Sequence, residues 1–371
     1  MVRMFYVTGN NFYNPFNLLD IPVYNKTNDL YHKKRLVFYD SLNIPIDERN
    51  RLLDIIAKRK KQKLQSEIVY EYSHEAGIGD NDLIEYVDLL KSRNIPLGNV
   101  KFILNLDQKY IDKRLKISSL QIYSVDFFSV STLRHIQAGI NQYTTKHLAH
   151  RDPRINFLAA QLFHKTSRLD ALYLLFKKGL IQDAIKGILI TTDQLDEHRR
   201  KINDNSFYIW LSNNLGPADN VKVFKDENTG GYTACNGNPY SVHIYDQSRV
   251  SYICETNCEV HPTPDTFITE KTYRPIINGS PFVLQGSYGQ LDFLESIGIN
   301  TYQKYTGRRY NEGSKSSYVE SVVDAAQELL QATMKYPYDL DNIARHNQNR
   351  LIDYANKQLK DIKAFLGVPN E

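Results

Sequence analysis

The chain is poor in cysteine. Three occur in 371 residues, Cys235, Cys254 and Cys258, too few for a disulfide framework. Cys254-x-x-x-Cys258 has no second ligand pair, which argues against a zinc site. Long apolar runs are missing as well: no stretch of about 18 apolar residues occurs, so no spanning helix is expected. The opening, MVRMFYVTGNNFYNP, lacks a long apolar stretch before a small-residue cleavage site and reads without a signal peptide. Together these absences suit a reducing, cytoplasmic setting. A strong charge of either sign is lacking too. The net charge is +4, which permits a phosphate-rich partner without requiring one. No G-x-G-x-x-G follows the first apolar segment, where Thr8-Gly9-Asn10-Asn11 stands, and this argues against a dinucleotide-dependent dehydrogenase.

What is present is ordinary globular material, with 42% hydrophobic and 24% charged residues. The length suits two domains, or one large one, with sizeable cores. Apolar segments of strand length alternate with helical periods. Strands are expected at 2–7, 35–39, 66–72, 100–105 and 122–125, with helices over 45–65 and 81–92. That alternation predicts an α/β fold, a parallel sheet with helices on its faces. A polar stretch, Thr144 to Pro153, then breaks the pattern and ends in proline. It divides the chain into an N-terminal domain, 1–150, and a C-terminal domain, 151–339. Residues 340–371 form a closing helix. In the second half, strands are expected at 155–159, 250–255 and 282–285. Helices are expected over 166–178, 270–278, 290–296, 318–334 and 340–366. The segment 200–248 reads as loops with one or two short strands.

Two clusters carry charge of interest. The first is Lys58-Arg59-Lys60-Lys61-Gln62-Lys63, either the solvated end of a helix or a nucleic-acid contact. The second is Thr269-Glu270-Lys271-Thr272-Tyr273-Arg274, at the predicted start of a helix that follows a strand. In an open α/β sheet, ligands bind beyond the carboxyl ends of the strands. Helix starts there offer free N–H groups and partial positive charge to a phosphate. Lys271 and Arg274 add full charges, while Glu270 would repel a phosphate and suits ribose hydroxyls instead. The same pair also reads as an exposed ion pair at a helix start, where glutamate favours the dipole.

The stretch TEKTYRPIINGSPFVLQGS, Thr269 to Ser287, resembles the nucleotide-sugar signature of fucosyltransferase-like glycosyltransferases. It is closer still to a group of phage and giant-virus glycosyltransferases. Their pattern continues here through Gly289, Leu291, Leu294, Gly298-Ile299 and Thr301-Tyr302, with Ile299 and Tyr302 where phenylalanine is usual. VSYICET, Val250 to Thr256, resembles the strand ending in a glutamate, here Glu255, that precedes the motif. Arg154 to Ile181 resembles the group's strand–loop–helix, whose basic loop keeps only Lys165 and Arg168, with His164 nearby. The resemblance covers about Arg154 to Tyr302. It implies a GT-B architecture, with two Rossmann-like domains facing across a cleft and a last helix crossing back. It implies donor-binding roles for Thr269, Glu270, Lys271, Arg274, Glu255, Lys165 and Arg168.

A glycosyltransferase on this plan works without a cofactor beyond the nucleotide sugar, which is a co-substrate. Asp80-Asn81-Asp82 and Asp339-Leu340-Asp341 are D-x-D patterns common by chance, and no metal site is expected. A base for the acceptor hydroxyl belongs in the first domain. Tyr72-Ser73-His74-Glu75 follows a predicted strand, so Glu75 is the first choice, His74 the second and Asp126 the third. Each also reads as a surface or capping residue. The acceptor is either a hydroxymethylated base in double-stranded phage DNA or a glycan or lipid-linked saccharide. A non-catalytic nucleic-acid-binding protein on the same fold is the competing class.

Overall fold

The computed structural model describes residues 5–7, 23–24, 35–41, 46–72, 80–104, 121–126, 128–130, 132–133, 146–159, 166–180, 185–218, 221–224, 245–255, 268–287, 289–307 and 315–368. The chain is α/β and divides into two compact units, residues 1–131 with 355–371, and residues 132–354. The division falls ahead of the polar stretch at 144–153.

The first unit is built on six parallel strands: β1 (Phe5–Val7), β2 (Val23–Tyr24), β3 (Arg35–Ser41), β4 (Gln65–Tyr72), β5 (Val100–Leu104) and β6 (Gln121–Ser124). Their order is β2-β1-β3-β4-β5-β6. Both faces of β3, β4 and β5 are buried, which is why their middles read as apolar runs. Leu36, Phe38, Ile68, Tyr70, Phe102 and Leu104 face helices α1 (Ile46–Lys61) and α2 (Asp80–Ser92). The alternate residues, Val37, Val69 and Ile103, face Ile362 and Leu366 near the chain's end. Tyr70 and Tyr86 stack with centroids 3.9 Å apart between sheet and α2.

The second unit has the order β12-β11-β7-β8-β10-β9. Four strands are parallel: β7 (Ile155–Ala159), β8 (Ile185–Thr191), β11 (Val250–Cys254) and β12 (Phe282–Gln285). The hairpin of β9 (Leu215–Ala218) and β10 (Val221–Phe224) adds to β8 in antiparallel fashion. Pro217 sits in β9, an edge strand, the place in a sheet where proline is tolerated.

Strand β8 and the helices α4 (Thr192–Lys201) and α5 (Asn205–Asn214) are not expected from the sequence. β8 runs straight into α4 with no Gly or Pro between them, so no turn signal separates the two. The start of α5 did carry a signal, an aspartate two residues before a serine. Asp204 Oδ1 accepts from the Ser206 amide at 3.1 Å and the Phe207 amide at 3.4 Å, and these bonds cap the helix.

Helix α3 (Thr166–Lys177) follows β7, α6 (Glu270–Ile277) precedes β12, and α7 (Gln290–Ser296) and α8 (Gln303–Thr306) follow β12. Helix α9 (Lys315–Lys335) leads into α10 (Pro337–Leu366), which starts on proline, a residue already suited to a first helical position. The first part of α10, through Tyr354, belongs with the second unit, and the rest belongs with the first. No helix among the described residues is long and apolar enough to cross a membrane.

Candidate functional site

In the second unit the chain runs from β7 to β8 on one side, yet β11 pairs with β7 on the other. The crevice at the carboxyl ends of β7 and β11 is therefore a topological switch point, where ligands of open α/β sheets bind. Glu255 follows β11 directly, α3 starts a few residues after β7, and α6 lies downstream of β11.

Side chains sew these ends together. Arg168, in the first turn of α3, donates from Nη2 to the Glu255 carbonyl at 2.5 Å. Gln285, the last residue of β12, is fully buried. Its Oε1 accepts from the Tyr252 hydroxyl at 2.9 Å, and its Nε2 donates to the Ser167 carbonyl at 3.2 Å. The turn after β12 is fixed as well. The Gly286 amide donates to the Tyr318 hydroxyl at 2.8 Å, and the Ser287 amide donates to Gln290 Oε1 at 2.9 Å. An ideal Cβ on Gly286 would lie 1.7 Å from that same Oε1, so only glycine fits there without moving Gln290.

Helix α6 has eight residues and carries Pro275 inside it. Thr269 is its N-cap, with extended backbone, and its side chain accepts from the Lys271 amide at 3.4 Å. The helix ends at Gly279, whose φ of 56° is the left-handed conformation that glycine adopts at low cost. There the Ser280 amide donates to the Pro275 carbonyl and the Gly279 amide to the Ile276 carbonyl, the paired bonds of a Schellman stop.

Glu255 is buried with no exposed surface. Its Oε1 accepts from the Thr269 amide at 3.0 Å and the Thr272 hydroxyl at 2.5 Å. Its Oε2 accepts from the Thr269 hydroxyl at 2.7 Å. Glu255, expected from the resemblance to bind the donor, therefore caps the start of α6. It also takes up a donor that the sequence reading assigned to an incoming phosphate, as an anion at a helix start does.

Lys271 and Arg274 are each 8% exposed. They lie three residues apart on α6, and Arg274 lies four from Glu270, so the three share a helix face. Lys271 Nζ is 3.5 Å from Glu270 Oε1. Glu270 Oε2 is buried and has no hydrogen-bond partner among the described residues. Buried carboxylate oxygens are seldom left this way, and the exception asks for an explanation.

The other expected residues fall elsewhere. Glu75, His74 and Lys165 lie outside the described residues. Asp126 follows β6 in the first unit, where its Oδ1 accepts from the Ser129 amide at 3.3 Å. Asp80 starts α2, and Asp341 on α10 is bonded to the Leu148 amide and paired with His147 and Arg345. The basic run at 58–63 closes α1. Arg59 is fully buried, donating to Ser66 Oγ and the Gln65 carbonyl, both at 3.0 Å, and lying over the Phe38 ring. Lys60 Nζ donates to the Asn94 carbonyl at 2.6 Å. This corner, with an open groove of about 580 Å³ lined by Ile56, Leu64, Ile95 and Pro96, adjoins the amino end of β4. It is the pole of the sheet opposite the carboxyl ends.

Sequence reasoning missed Gln285, Gln290, Thr272 and Tyr318. A glutamine ending the apolar run Phe282-Val283-Leu284 was the available signal for the first. No protein-family model matches this chain and no curated protein matches it, which leaves the arrangement at the end of β11 as the ground for a functional reading.

Proposed function

We propose that the protein is a glycosyltransferase that moves a sugar from a nucleotide-sugar donor to a hydroxyl acceptor. The observation that carries the reading is Glu270, whose buried Oε2 has no hydrogen-bond partner among the described residues, beside Lys271 and Arg274 at a switch point. A nucleotide sugar supplies both things this face calls for. Its ribose hydroxyls donate to Glu270, and its diphosphate meets the two cations.

The acceptor oxygen attacks the anomeric carbon as the bond from that carbon to the diphosphate oxygen breaks. The diphosphate leaves with the electron pair, and a base takes the acceptor proton. Lys271 and Arg274 stabilise the charge that builds on the leaving group. The base belongs to the first unit, with Glu75 the first choice, His74 the second and Asp126 the third. The architecture this reading implies is GT-B, with the donor in the second unit and the acceptor in the first.

A hydroxymethylated base in duplex DNA and a glycan are the acceptors to separate. The basic run gives a DNA acceptor little support, because it lies at the amino pole of its sheet, with Arg59 buried in the core and Lys60 bonded to the Asn94 carbonyl. The test is nucleotide release from a panel of nucleotide sugars, with duplex DNA carrying 5-hydroxymethylcytosine, with plain DNA and with no acceptor. Lys271→Ala should lower release by about 10²- to 10³-fold. Dependence on the modified DNA would assign the acceptor, and hydrolysis without that dependence would move it to a glycan. No release from any donor would favour a non-catalytic nucleic-acid-binding protein, which would show salt-sensitive DNA binding.

A further inference from the structure

We infer that Thr269 and Glu255 are positioning residues for the Lys271 ammonium, acting through a one-way chain of hydrogen bonds; the assignment rests on the reading of Lys271 as the cation that meets the donor's diphosphate. The direction of the chain follows from elementary bonding. A threonine hydroxyl has one proton and two lone pairs, and an ionised carboxylate only accepts. Glu255 already accepts from the Thr269 amide and the Thr272 hydroxyl. At 2.7 Å from Glu255 Oε2, the Thr269 hydroxyl therefore gives its proton to the carboxylate.

Its lone pairs are then turned toward the helix. Thr269 Oγ1 lies 3.4 Å from the Lys271 amide and 3.4 Å from Lys271 Nζ. Both contacts are longer than the usual range of about 2.7–3.2 Å, so each is weak and does not keep the ammonium from meeting an anion. Thr269, Glu255 and Thr272 have no exposed surface, and Lys271 is 8% exposed. Water therefore does little to scramble the direction of the bonds. Lys271 Nζ has Glu270 Oε1 on one side, at 3.5 Å, and the Thr269 oxygen on another. The ammonium is thus held at the mouth of the site before any anion arrives, so less ordering remains to be done on binding.

The experiment compares wild type, Thr269→Val and Thr269→Ser by two readouts. The first is the rate at which the Lys271 amine is acylated in the ligand-free protein, followed by peptide mass spectrometry. The second is the Kd for UDP, GDP, ADP and CDP. Valine keeps the size of threonine and removes the oxygen, and serine keeps the oxygen. Lys271 should label about fivefold faster in Thr269→Val than in wild type, and the Kd of the nucleotide that binds should rise about tenfold. Thr269→Ser should match wild type in both. Amide exchange across 271–277 checks that α6 is intact, and Thr269→Ala replaces the valine variant if that one does not fold. Equal labelling rates with an intact α6 would overturn the positioning role. If no diphosphate binds wild type, the nucleotide-sugar reading fails instead, and the labelling rates still decide the relay.

Discussion

Two clusters of basic residues, 58–63 and 271–274, look alike in sequence and are used in opposite ways. At the first, the positive charges gather at the end of a helix, where the exposed carbonyls carry partial negative charge. Arg59 is driven fully into the core, and Lys60 closes the end of α2 through the Asn94 carbonyl. Lys63 occupies the stop of α1 with a φ of 59°, a position where glycine is usual. At the second cluster, Lys271 stands at a helix start, which repels it, while Arg274 falls in the last turn of the short helix. Lys271 is kept there beside a buried carboxylate, Glu255, that neutralises the helix start, and beside Glu270. Charges that agree with the helix dipole need no further reason. A charge set against it, as Lys271 is, held by buried partners at the carboxyl ends of strands, points to a ligand.

Four substitutions break or sharpen that contrast, beyond the tests of Lys271 and Thr269 already described. The largest effect is expected from Arg59→Ala. It strips the partners of Ser66 Oγ and the Gln65 carbonyl inside the core, and should destabilise the protein by about 3 kcal/mol in chemical denaturation. Lys61→Ala, two residues on and exposed, should change stability by less than about 0.5 kcal/mol. Equal costs for the two would mean that the run is a surface feature after all. Gly286→Ala comes next. The new methyl displaces Gln290 Oε1 from the Ser287 amide, at a cost of about 1–2 kcal/mol, read as a lower Tm. Nucleotide affinity should fall with it if the turn after β12 shapes the donor site. The smallest effect is a gain: Lys63→Gly relieves the left-handed lysine and should stabilise by about 0.5–1 kcal/mol while leaving nucleotide release unchanged. A loss of release in that variant would restore a functional role to the basic corner.

Much of the fold was legible along the chain. The strands from β3 to β7, and β11 and β12, are apolar runs bounded by polar residues or turn signals. The stop of α6 was visible in Gly279, because only glycine adopts its backbone cheaply. The elements from β8 to α5 were harder, since short strand and helix abut there without punctuation and the region's many polar residues read as loop. Of the site, Glu270, Lys271 and Arg274 could be picked out by residue type and by resemblance, and the structure brings them onto one face of α6.

What the sequence by itself determined was local: which segments are apolar with period 2 or 3.6, where chains turn, and which charged residues cluster at the start of α6. What only the tertiary structure decided was which of those charges are already satisfied. Glu255 lies 14 residues from Thr269 and Gln285 lies 118 from Ser167. No periodicity connects such pairs; they meet because parallel strands β7, β11 and β12 bring their carboxyl ends to one edge. The same geometry, not composition, separates Arg59, buried at the amino pole of one sheet, from Lys271 at the carboxyl edge of the other. A side chain's charge is written in the sequence, but its desolvation and its partners are fixed only when strands far apart in the chain are laid side by side.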